Sequence, residues 1–430
     1  MAKNQGSEPQ SAKAGATSSD LSITLPSLDG TLAVTIHLKQ HDNAAYPPSL
    51  VKIDKAQIDR DKVLSTEPAD STDKLQVHVI VSMGSGHKKA DTFFKDVVSP
   101  VLSDLYGSET VSESRIHITE SETSILELTK DTIFPEATHG KLVRIILASG
   151  DGGIVDLVNG LLTKPITPSY RAPQVVLLPL GTANALYHSI NADKTDSWGL
   201  NSLSTATAKP LPVFRASFSP GARLLVDEAR KEENLPQDSN GTPALHGAVV
   251  CSWGMHASLV ADSDTTAYRK FGIDRFKMAA AEALYPADGS LPHSYRACIS
   301  VLKDDKWTPL SDEEHLYVLA TLVSHLEKPF CISPHSKPLD GSLRLVHFGP
   351  TTGDDAMRIM ALAYQGGKHV EDEKVRYQDI DGLRIDFKGK EDDARWRRIC
   401  VDGKIVKVEK DGWMEVRKEE RRVLDIVIAS

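Results

Sequence analysis

At 430 residues and 46.9 kDa the chain exceeds one comfortable hydrophobic core and is expected to divide into two or three domains. Hydrophobic residues at 40% and charged residues at 25% exclude a chain disordered throughout or a fibrous repeat. Fifty basic against 59 acidic side chains leave a net charge of −9, which excludes a general attraction to nucleic acid or anionic lipid, so any phosphate binding has to be local.

Residues 1–20 lack periodic apolar positions and are expected to be disordered. Residues 21–73 form an N-terminal extension. In it Leu21, Ile23 and Leu25 alternate with polar residues, Asp29-Gly30 supplies a turn, and Leu32, Val34, Ile36 and Leu38 alternate again, which predicts a β-hairpin. From Lys74 the texture changes. VHVIVSMGSG is a buried strand ending in small residues, FFKDVVSPVLSDLYG has helical spacing, IHITE is a short strand and ILELTKDTIF a second helix. LVRIILASGDGG, IVDLVNGLL and PQVVLLPLGTANAL continue the alternation as strand, helix, and strand with turn. Alternating strands and helices with glycine at the strand ends predict a parallel-sheet nucleotide-binding domain over 74–200, with its ligand beyond the strand C-termini. The boundary falls in the Ser-, Thr- and Pro-rich stretch around 195–210. Over 201–430 short β-like runs are separated by turns, with helical spacing only near 265–285 and 354–366, which predicts an antiparallel β-sandwich.

Cys251, Cys298, Cys331 and Cys400 are far apart and form no C-x-x-C pair, so neither a zinc site nor a disulfide framework is suggested and a reducing compartment fits. No apolar run approaches the ~20 residues needed to cross a bilayer, and the N-terminus has no signal-peptide core. A soluble, cytoplasmic protein is expected.

Three glycine-bearing turns follow strands: Gly84-Ser85-Gly86, Ser149 to Gly153, and Gly181-Thr182-Ala183-Asn184. Glycine lets backbone N–H groups approach a phosphate, and a helix N-terminus adds favourable partial charge. One such turn is common to any α/β protein; three in one sheet point to phosphate. Asp151 sits between glycines at the end of an apolar strand, where a carboxylate suits a catalytic or metal-binding role; capping of the following helix is the competing role.

SGDGGIVDLVNGL at 149–161 and PLGTANAL at 179–186 resemble segments of sphingosine kinases and the wider diacylglycerol kinase catalytic family. SWGMHASLVADSDTTAYRKFGIDRF, SHL, DGSLRLV and GKHV continue the resemblance in family order from about Leu75 to the C-terminus. The resemblance implies ATP as phosphoryl donor with Mg²⁺, Gly86, Gly150, Gly152, Gly181 and Thr182 around the phosphates, and Thr119 near the nucleotide. It implies Asp151 as base or metal-side carboxylate, Arg269 and Arg275 as phosphate contacts, and Asp262, with Asp264 as rival, at the lipid head group. A lipid substrate, preferably a sphingoid base, and a peripheral membrane contact follow, with no nucleic-acid partner. A diacylglycerol or other lipid kinase, or a catalytically weak lipid-binding homologue, stay open.

Two segments depart from the family pattern. Ser82-Met83 stand where Asn-Pro is usual, and Lys404 stands where a D-G-E segment carries glutamate. Read as a lost carboxylate, Lys404 implies low activity that Lys404→Glu would raise; read as a phosphate contact, it implies the opposite sign.

Overall fold

The structure is a computed structural model that describes residues 20–58, 75–107, 112–205, 207–238 and 240–429. The expected disorder of residues 1–20 lies, apart from Asp20, outside the described residues. Strands β1 (Asp20–Pro26) and β2 (Leu32–Lys39) pair as the predicted hairpin, with Gly30 in the left-handed region at its turn. A third strand, β3 (Ser49–Gln57), pairs antiparallel with β2; its charged, mostly exposed sequence hides it from pattern reading. Val34, Ile36 and Leu38 are buried against Val98, Val101 and Leu105, so the extension is docked on the next domain. Lys55 and Asp104 pair across the same junction.

Strands β4 (Gln76–Val81), β5 (Ile116–Ile118), β6 (Val143–Ser149) and β7 (Gln174–Pro179) form a parallel sheet in the order β5-β4-β6-β7. All seven residues of β6 are buried, as expected of a strand covered on both faces. The two helical stretches after β4 and β5 each contain a π-turn, at Phe94–Val98 and Thr129–Ile133, just ahead of Pro100 and Pro135. A proline has no N–H for the carbonyl one turn back, and a widened turn accommodates that loss. Asp425–Val427 joins the sheet parallel to β7, and Ala208–Pro210 lies antiparallel beside it. The sheet thus takes its last two strands from residues 201–430, because strands this short carry no sign of a distant partner.

The remainder builds two antiparallel sheets of eight and six strands. Their buried faces share one apolar cluster, in which Phe214 and Val416 of one sheet join Trp253 and Leu319 of the other. The same cluster takes in Leu157 and Leu161 of helix Asp151–Leu161, so the parallel-sheet region and the β-rich region are joined behind the glycine turns. Asn159 of that helix clamps strand Ala244–Gly247: its Nδ2 donates to the His246 carbonyl at 2.8 Å and its Oδ1 accepts the His246 N–H at 3.0 Å. The helices at Thr266–Arg269, Asp274–Leu284 and Gly353–Ala363 match the expected helical stretches, whereas Met255–Ser263 is an additional helix. All four cysteines are free, and among the described residues no helix is long and apolar enough to cross a membrane.

Candidate active site

The three glycine turns meet backbone to backbone. A Cβ on Gly150 would stand 2.7 Å from the Gly181 Cα, and one on Gly86 would stand 2.5 Å from the Leu180 carbonyl oxygen. A Cβ on Gly181 would press on Gly150 and lie 2.8 Å from Asn184 Oδ1. No side chain fits at these three positions without moving backbone. Gly152 differs: a Cβ there would meet nothing within 4 Å, so the first turn of helix Asp151–Leu161 opens onto free space. A helix N-terminus left open beside three close-packed glycine turns suits an anion.

Side chains brace these turns. Thr119 Oγ1 accepts the Met83 N–H at 3.0 Å, and Thr119 N–H donates to the Val81 carbonyl at 3.0 Å, so this residue holds the first turn. Ser85 Oγ donates to Ser82 Oγ at 2.8 Å, which gives the unusual Ser82-Met83 pair its own fastening. Asn184, in the left-handed conformation with φ of 53°, accepts the Gly181 N–H at 2.8 Å and donates to the Gly181 carbonyl at 3.1 Å. Thr182 lies half-buried within that turn.

Asp151 opens helix Asp151–Leu161 but does not cap it. Its two carboxylate oxygens accept the N–H groups of Ala185 and Leu186, at 2.8 and 3.0 Å, at the start of helix Ala185–Ile190. Burial pushes this carboxyl above its ordinary value, against the pull of those two amides. A group so raised and facing the glycine turns suits a proton acceptor. Each oxygen keeps a second lone pair, so Asp151 fits a Mg²⁺ held mainly by phosphate oxygens and water, as that ion commonly is. Among the described residues no group of three or more His, Cys, Asp or Glu side chains is arranged to hold a metal without such help.

Asp402, Lys404 and Asp156 form a second group of charged side chains. Asp402 accepts the N–H groups of Ala248, Val249 and Val250, at distances from 2.5 to 3.2 Å, and fixes the hairpin turn that Lys404 follows. Burial pushes its carboxyl up to about 7 despite those amides, and the charge of Asp151 adds to the rise. Lys404 Nζ lies 2.8 Å from Asp156 Oδ1, so Lys404 is neither a free surface residue nor an isolated cation beside a metal. A glutamate at 404 would face Asp156 with like charge, which weighs against the first of the two readings of Lys404→Glu.

In the β-rich region, Asp264 gathers the two predicted arginines. Arg269 donates to both of its oxygens at 3.0 Å, and Arg275 Nη1 donates to Oδ1 at 3.3 Å. The Asp264 bonds raise the Arg269 pKa, while burial lowers that of Arg275. Glu122 Oε1 lies 3.7 Å from Arg269 Nη1, and a Cβ on Gly272 would stand 3.2 Å from the His87 ring, so the arginine segment lies over the first glycine turn. Asp262 stands apart from Asp264. It pairs with Arg395 Nη2 at 2.9 Å and Arg398 Nη1 at 2.8 Å; burial would raise its carboxyl, but these guanidiniums outweigh it and hold the pKa low. Sequence reading singled out none of Asp156, Glu122, Arg395 and Arg398. The run ARWRR was the visible signal for the last two, and nothing local marked the first two.

Residues 76–216 match the diacylglycerol kinase catalytic domain. Sphingosine kinase 1 of Homo sapiens is 24% identical over 324 residues, covering 69% of this chain and 78% of that protein. Sphingosine kinase 1 of Arabidopsis thaliana is 21% identical over 238 residues, 53% of this chain and 43% of that one. A crystal structure of a diacylglycerol kinase from Bacillus anthracis str. Sterne has the same fold, with a TM-score of 0.50 and 15% identity, over 83% of this chain and 98% of the other.

Proposed function

Because this chain is an ATP-dependent lipid kinase of the diacylglycerol kinase and sphingosine kinase family, we propose that it phosphorylates the hydroxyl of a sphingoid base in the cleft between its two regions. In this reading residues 74–200, with the returning strand Asp425–Val427, bind the nucleotide, and residues 201–430 form a β-sandwich that presents the lipid. The observation that carries it is the packing of Gly86, Gly150 and Gly181 around an open helix N-terminus, with Arg269 and Arg275 lying over it. Gly152 and Thr182 line the phosphates beside them, and Thr119 keeps the first turn in place. Phosphoryl transfer needs positioning and charge neutralisation rather than covalent catalysis, and these groups supply both.

Asp151 accepts the proton of the lipid hydroxyl as its oxygen attacks the γ-phosphorus and ADP departs. Mg²⁺ held by Asp151 and the phosphates would neutralise charge there. Asp262 contacts the head group, and Phe271, Met278, Tyr285 and Leu291, all exposed around helix Asp274–Leu284, form the peripheral membrane contact.

A second reading is favoured by one feature. Asp262 already carries two guanidiniums, so an ammonium would approach a locally positive cluster, whereas the hydroxyls and esters of a neutral lipid would not be repelled. Transfer of labelled phosphate from ATP to sphingosine and to diacylglycerol separates the two. Product on sphingosine, lost selectively by on the order of 2–5 kcal/mol in Asp262→Ala, supports the sphingoid reading. Product on diacylglycerol alone supports the second, and no product on any lipid with ATP binding intact defeats both.

A further inference from the structure

We propose that Lys404 is a phosphate-binding residue, oriented by Asp156, whose ammonium holds the γ-phosphoryl group of ATP; the proposal rests on the kinase reading above. Asp156 lies on the helix whose first turn is Gly150-Asp151-Gly152, and Lys404 begins strand Lys404–Lys407 of the β-rich region. Their 2.8 Å ion pair is therefore a bridge between the two regions.

Three observations orient the ammonium. First, the turn ahead of it is over-determined: three consecutive amides hold the Asp402 carboxylate, and Asp402 N–H donates to the Val250 carbonyl at 2.9 Å. The charge of Asp151 acts on Asp402, so the Lys404 strand starts within electrostatic reach of the first turn of helix Asp151–Leu161. Second, an ammonium has three donors and Asp156 takes one, while a third of the Lys404 side chain remains exposed. Third, Glu122 acts on the carboxylate of Asp156 and also lies within 3.7 Å of Arg269. Lys404 thus shares one neighbourhood with the arginine pair, and Asp156 keeps its flexible stem from swinging away.

This placement predicts a difference between nucleotides. A contact to the terminal phosphoryl group affects ATP and leaves ADP alone, whereas a bridge that only holds the two regions together affects both or neither. Calorimetric titration of the full-length protein, without lipid, with a non-hydrolysable ATP analogue and with ADP reads this directly. Lys404→Gln should weaken the analogue on the order of 10- to 100-fold and leave ADP within about twofold, as expected for losing a charge-assisted hydrogen bond. Lys404→Arg should restore most of the analogue affinity, and Asp156→Asn should weaken it by less than Lys404→Gln does. Equal affinities of wild type and Lys404→Gln for the analogue would overturn the proposal, as would parallel losses for analogue and ADP. A wild-type protein that binds neither nucleotide would instead defeat the kinase reading, and a thermal melt of each variant separates misfolding from lost contact.

Discussion

The two sides of the proposed active site are made of different materials. On the parallel-sheet side Gly86, Gly150 and Gly181 bring three strand ends into backbone contact, and the close packing depends on the side chains that are absent. On the opposite side the working groups are charges that bind one another: Asp264 holds Arg269 and Arg275, Asp262 holds Arg395 and Arg398, and Lys404 reaches across to Asp156. A backbone wall fails when any atom is added to it. A wall of partnered charges fails when one partner is removed and leaves the other stranded.

The largest effect is therefore expected from Gly181→Val, which drives a branched side chain into Gly150 and Asn184. Nucleotide binding should disappear and stability should fall by about 3 kcal/mol, the upper range for overpacking, seen together by titration and denaturant unfolding. Gly152→Ala, at an open position, should spare the fold. Wild-type stability of Gly181→Val would mean that the turns can separate and that the backbone wall is soft.

Next in size is Asp151→Asn. The loss of a proton acceptor should cut turnover by at least about 100-fold, the low end for general base catalysis. Because both oxygens accept amide hydrogens, the new NH₂ group faces an N–H, and a stability loss of about 1–3 kcal/mol should accompany the kinetic one. Full turnover in a folded variant would remove Asp151 from the chemistry and leave it as the tie between two turns.

How much of this was legible in the sequence follows the same division. The strand-turn-helix order, the glycines and Asp151 could be read locally, because a glycine at a strand end has a meaning that depends on few distant residues. The closing strand Asp425–Val427, the capping of a neighbouring helix by Asp151 and the pairing of Lys404 with Asp156 could not, since each depends on a partner at least 34 residues away. Asp262 and Asp264, two residues apart, looked interchangeable. Their partners lie on different elements, and only the fold separates one tied to Arg269 and Arg275 from one tied to Arg395 and Arg398.

That separation predicts a smaller, selective effect. Asp264→Ala frees both arginines proposed to contact phosphate and should raise the KM for ATP on the order of tenfold, with turnover at saturating ATP reduced less. Asp262→Ala should leave the KM for ATP within about twofold and change the KM for lipid. The roles are reversed if Asp262→Ala is the variant that raises the KM for ATP.

The smallest expected effect contrasts buried histidines in the two regions. In the parallel sheet His78 lies 3.0 Å from His117 and 2.8 Å from Glu136; burial lowers the pKa of both rings, His117 to about 4, and the Glu136 carboxylate opposes the fall at His78. In the β-rich region His347 lies 2.9 Å from His315, which faces the Ala297 carbonyl at 3.2 Å, and neither ring is paired with a carboxylate. Burial, with the neighbouring imidazole, pushes His347 down to about 3. Both rings of this pair are neutral in the fold, while in the unfolded chain they take up protons near pH 6.5. Below that pH the unfolded state binds more protons than the native one, so stability present above pH 6.5 is lost as pH falls towards 3, by up to about 1.4 kcal/mol per pH unit for His347. Trp253, with its ring 5.7 Å from His315, reports the event by fluorescence. Melting followed at Trp253 should fall between pH 7 and pH 5, and His347→Gln should flatten that dependence more than His117→Gln does. An unchanged slope in His347→Gln would assign the acid sensitivity to the parallel-sheet pair and remove this difference between the regions.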